Sequence, residues 1–98
     1  MTVLNEERCI MILDGICKSF FEQDEYSLRG PKESAVCMEK TANGWNVYES
    51  EKNSRNDFFL FDNVIEAVLD LLKRLCNNSD YTTLKSQFFD AILEQKIA

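Results

Sequence analysis

A chain of 98 residues with 17 Asp and Glu against 11 Lys and Arg, and no histidine, has a formal charge of −6 and a pI near 4.6. That length supplies one core but not two lobes with a cleft between them, so the expected organisation is a single domain over residues 1–98. The acidic balance argues against a nucleic-acid binder, and the missing histidine removes the default general base, the commonest metal ligand and the ordinary pH switch.

From Asn5 to Phe21 the apolar residues Cys9, Ile10, Leu13, Ile16, Cys17, Phe20 and Phe21 recur at steps of three and four, the broad apolar face of an amphipathic helix. Asp14, Lys18 and Glu22 form an i, i+4 ladder on its far side. Gln23 to Lys32 is polar and carries Gly30-Pro31, a breaker. Ser34 to Thr41 alternates as a strand, and Asn43-Gly44 signals a type I′ hairpin into a second strand, Trp45 to Glu51. On that strand Trp45 is expected in the core, while Tyr48 shares its side with Asn46 and Ser50 and is a candidate for exposure. After a polar loop over Lys52 to Asn56, Phe58-Phe59-Leu60-Phe61 reads as a short strand buried on both faces. Asp62 or Asn63 caps a second helix, with Glu66 placed to close a capping box on Asn63. Its run from Val64 to Cys76 leaves a polar stripe of only Glu66, Asp70, Lys73 and Arg74, so it is expected at the centre of the fold. Asn77 to Asp80 breaks the chain before a last helix with Tyr81, Leu84, Phe88, Ala91 and Ile92 on its core stripe and Phe89 and Leu93 beside it. The order α-β-β-β-α-α predicts an α+β domain, a three-stranded antiparallel meander packed against helices.

Cysteines 9, 17, 37 and 76 include no CxxC pair, and without histidine they do not make a common zinc site. On one helix Cys9 and Cys17 would stand ~12 Å apart along the axis, too far for a disulfide. Free thiols packed as small apolar groups fit a reducing compartment. The acidic start, Glu6-Glu7-Arg8, and the five-residue apolar run ended by Asp14 do not resemble a signal peptide. No stretch approaches the ~20 apolar residues of a membrane span. A cytoplasmic protein without a membrane partner is the expectation.

No GxSxG, HExxH or P-loop is present, and Gly15, Gly30 and Gly44 stand singly, so no enzyme chemistry, cofactor site or metal site is expected. Glu49 and Glu51 project from one strand face, which could serve acid–base chemistry or an ion but more simply makes a solvated face. Acidic residues gather in two places: Glu22, Asp24 and Glu25 after the first helix, and Glu39, Glu49, Glu51 and Asp57 on the meander. Together with Tyr48, these seven carboxylates are the candidate partner-binding residues, since acid on a rigid sheet can meet Lys and Arg of a partner.

Trp45-x-Val47-Tyr48-Glu49-x-Glu51, a polar loop with Arg55, then Phe58-x-x-Phe61 and a helix carrying Glu66-Ala67 resemble bacterial immunity proteins encoded beside polymorphic toxins, including those of contact-dependent growth inhibition systems. The resemblance covers roughly residues 43–76 and departs from the family pattern in that Arg55 lies four positions beyond Glu51 and not next to it. It implies a cytosolic inhibitor that binds one cognate toxin domain, often a basic nuclease, and occludes its active site or an adjoining surface. The alternative from the residues alone is a small adaptor, monomer or homodimer, that pairs through an apolar helix face bearing Phe89 and Leu93.

Overall fold

The computed structural model describes residues 6–51 and 54–97. Along the chain run α1 (Glu6–Phe20), a single 3-10 turn (Gln23–Glu25), β1 (Tyr26–Ser27), β2 (Val36–Thr41), β3 (Gly44–Glu51), β4 (Ser54–Phe61), α2 (Val64–Leu75) and α3 (Asn78–Ile97). The fold is α+β, as the periodicities predict, with one addition to the meander. The sheet has four strands in the order β1-β2-β3-β4, and β1 pairs with β2 in parallel, Tyr26 opposite Val36 and Ser27 opposite Cys37. The connection between them has no helix. It turns back through Gly30, whose amide donates to the Met38 carbonyl at 3.1 Å.

The helices cover one face of the sheet. Cys9, Ile10, Leu13 and Cys17 from α1 join Met38, Trp45 and Val47 from the sheet, Val64, Val68, Leu71 and Leu72 from α2, and Leu84, Phe88 and Ile92 from α3 in one core. The α2 helix packs on β2, β3 and β4 and also meets α1 and α3, which makes it the central element its apolar run predicts. Its start is set by Asn63, whose Oδ1 accepts the Glu66 amide at 2.9 Å. Asn77 does the same for α3, accepting the Asp80 amide at 2.8 Å. Trp45 lies in the core, and its Nε1 donates to Glu6 at 2.8 Å, tying the start of α1 to the sheet.

Three local expectations change. The hairpin turn is Ala42-Asn43, not Asn43-Gly44, because Thr41 pairs with Gly44; neither turn residue has a positive φ. Thr41 closes it, its Oγ1 accepting from Asn43 and donating to the Gly44 carbonyl. Gly44 itself has φ +143°, and a Cβ there would stand 2.3 Å from the Phe61 carbonyl oxygen, so glycine is required by the close approach of β4. Second, β4 begins at Ser54, so Ser54 to Asn56 are strand and not loop, while Lys52 and Asn53 lie outside the described residues. Third, Phe58-Phe59-Leu60 is not buried on both faces. β4 is the terminal strand, and these residues are 48%, 61% and 45% exposed.

Candidate functional site

The lower half of β3 places Glu49 and Glu51 on the helix-covered side of the sheet, opposite Asn56 and Ser54 of β4. Between Val47 and Glu49 the register shifts: Val47 faces Phe59 and Glu49 faces Asn56, so β4 carries one residue more than β3. Asp57 sits in this bulge in the left-handed region, φ +52°. The last turn of α2 brings Arg74 to the same place. Its side chain is only 12% exposed; Nε donates to Asp70 at 2.9 Å, Nη2 donates to the Asp57 carbonyl, and Nη1 lies 3.5 Å from Glu49. The Glu49 contact is Coulombic, outside hydrogen-bond alignment.

Glu25 enters from the 3-10 turn on the far side, its carboxylate accepting the Glu22 amide at 2.8 Å. The result is a groove of about 580 Å³ whose lining includes Glu25, Glu49, Glu51, Asp57 and Arg74, with Ser34, Ser50 and Asn56 between them. Four carboxylates against one guanidinium leave the groove acidic. Lined also by hydroxyl and amide groups, it can receive a lysine or arginine side chain through charge-assisted hydrogen bonds.

Four of the eight candidate residues therefore converge. Glu22 and Asp24 are exposed on the neighbouring turn and do not line the groove. Glu39 is on the opposite face of the sheet, 19% exposed and 3.0 Å from Arg55. Tyr48 is overturned as a contact residue: it is fully buried with Ala35 and Cys37, beneath the Arg55 guanidinium at 5.0 Å and the Phe58 ring at 6.4 Å. Burial, with Glu39 close by, pushes its hydroxyl up to about 12. Arg74 is the groove residue that sequence reasoning missed. The i, i+4 pair Asp70 and Arg74 was visible, but nothing local says that it points at a bulge seventeen residues earlier.

A second hollow of about 520 Å³ runs past Glu6, Glu7, Arg29, Lys40 and Trp45. Its charges are already matched, Glu6 with Lys40 and Glu7 with Arg29, so it offers a partner little unspent charge. The Lys40 hydrogen bond, then that of Trp45, holds the Glu6 carboxyl below its ordinary value.

No disulfide joins Cys9, Cys17, Cys37 or Cys76. Burial first, then Asp14 and Cys76 nearby, pushes Cys17 up to about 12, which makes it a poor nucleophile. On α3, Phe89 is half-buried and Leu93 is 56% exposed. Among the described residues no helix is long and apolar enough to cross a membrane, and no three acidic or cysteine side chains cluster closely enough to hold a metal ion. No protein-family model matches this chain, and no curated protein and no solved structure is significantly similar to it.

Proposed function

We propose that this chain is an immunity protein: a cytoplasmic, stoichiometric inhibitor that neutralises a cognate toxin domain by binding it, without chemistry of its own. The observation that carries it is the convergence of Glu25, Glu49, Glu51 and Asp57 on one groove. A nuclease grips phosphate with lysine and arginine, and a groove of opposite sign is the complement that would speed encounter and cover that surface. The resemblance over residues 43–76 supports the same role, since its Trp45 to Glu51 strand supplies Glu49, Ser50 and Glu51 to this groove.

The test is protection of a bacterium expressing the toxin encoded beside this chain. Combining Glu25→Lys and Glu51→Lys with Asp57→Asn alters three groove charges while leaving Arg74 its partners Asp70 and Glu49. Asparagine tolerates the left-handed backbone at 57, so the fold is kept. Each reversed charge should weaken toxin binding by about tenfold or more, with protection lost and the melting temperature almost unchanged. Wild-type affinity in the triple variant would show that the groove is not the interface. Failure of the wild-type chain to bind or neutralise that toxin would overturn the role itself.

A further inference from the structure

The bare edge of β4 is not explained by an acidic groove. Terminal strands are ordinarily blunted by charge, proline, a bulge or a covering element, because their outer row of amides and carbonyls is a template for another strand. β4 has such a device at one end, the bulge at Asp57. Beyond it the strand runs through Phe58, Phe59 and Leu60 with about half of each side chain in water, and among the described residues no strand pairs with its outer edge. Phe59 lies on the helix side opposite Val47, and Leu60 lies on the open side opposite Asn46. Apolar surface is thus offered on both faces of one edge. Carboxylates stand at both ends of this run, Asp57 in the bulge and Asp62 just past Phe61.

We propose that the outer edge of β4 is a strand-addition site for an extended segment of a partner protein, apolar at its centre and basic at its ends. Main-chain hydrogen bonds to Phe58–Phe61 would supply the pairing, and alternate side chains would pack on Phe58 and Leu60 on one face and Phe59 on the other. The flanking carboxylates select the charge. A second copy of this chain is the poorer occupant. Antiparallel pairing centred on the apolar run brings Asp57 of one copy toward Asp62 of the other, parallel pairing brings like residues together, and each copy carries −6. The inference rests on the reading of the chain as a protein-binding module, and it names what the partner must present.

The probe is a synthetic peptide, Lys-Lys-Val-Ile-Val-Thr-Lys-Lys, titrated to about millimolar into the isotope-labelled full chain while amide resonances and hydrogen exchange are followed. The expected result is shifts concentrated on residues 54–61 and about tenfold slower exchange there. Two further peptides, N-methylated at alternate backbone nitrogens in the two possible patterns, should differ: the pattern that blocks the paired amides abolishes binding and the other retains it. Replacing the lysines by glutamates should abolish binding. Phe59→Lys, at a residue already 61% exposed, should weaken the peptide by about tenfold without moving the melting temperature. Equal binding of both N-methylated peptides would mean an apolar patch without strand pairing. Equal binding of the glutamate peptide would overturn the charge selection, and no binding by any peptide would overturn the site. A tight dimer in sedimentation that Phe59→Lys dissolves would assign the edge to a second copy instead. Because no toxin is present, failure here is separable from failure of the immunity role.

Discussion

Arg74 is the side chain on which the groove depends most directly. Replacing it by methionine keeps its apolar stem but removes three interactions: the 2.9 Å bond to Asp70, the bond to the Asp57 carbonyl, and the Coulombic contact with Glu49 at 3.5 Å. Asp70 is 24% exposed, so its charge-assisted bond contributes about 1.5 kcal/mol, the low end of its class. The Asp57 carbonyl belongs to an exposed residue and regains water, so its loss costs about 0.5–1 kcal/mol. Glu49 is 49% exposed, and its solvent-screened contact contributes only a few tenths of a kcal/mol. The sum is about 2–3 kcal/mol, which in a domain of this size lowers the melting temperature by about 8–24 °C. Urea titration of wild type, Arg74→Met, Asp70→Asn and the double variant measures it. The cycle should return about 1–1.5 kcal/mol of coupling between residues 70 and 74. Arg74→Lys should recover only part of the loss, because an ammonium lacks the fork that reaches Asp70 and the bulge together. A loss below about 0.5 kcal/mol for Arg74→Met would refute the stabilising role given to these three interactions.

Gly44→Ala puts a Cβ 2.3 Å from the Phe61 carbonyl and a side chain on a positive φ, so it should cost about 3 kcal/mol or more in a denaturation midpoint. The Glu6 carboxyl is held below its ordinary 4.5 by Lys40 and then Trp45, so its stabilisation is complete above that value and is lost as pH falls through the lowered folded one. Melting curves from pH 6 down to pH 3 should therefore fall less steeply for Glu6→Gln than for wild type. At pH 8 in native buffer Cys17, raised to about 12 by burial, should resist a thiol reagent that labels it readily once urea has unfolded the chain, with half-buried Cys76 reacting ahead of it.

What sequence showed of this fold depended on how local the signal was. The α1 helix was legible because Cys9, Ile10, Leu13 and Cys17 repeat at helical spacing and all four are buried. The start of α2 was legible because the Asn63 side chain reaches only the amides of the next turn. Phe58 to Phe61 misled, because an apolar run is the same whether its strand is central or terminal, and only the sheet order decides. β1 has two residues and no period to detect, so the parallel pair was invisible. At the site, the like-facing pair Glu49 and Glu51 followed from strand alternation. Their meeting with Glu25 and Arg74 needed tertiary structure, as did the burial of Tyr48 under Arg55, which no pattern of alternation reveals.

The two borders of the sheet are unequal. β4 offers its run from Phe58 to Phe61, whereas β1 offers two residues and the adjoining chain folds back through Gly30 onto Met38. A filament built by head-to-tail strand joining needs a donor border and an acceptor border on every unit. Among the described residues this molecule has one long border only. Two copies joined at β4 would leave just the two-residue β1 at each end of the sheet, so head-to-tail growth would find no second long strand to use.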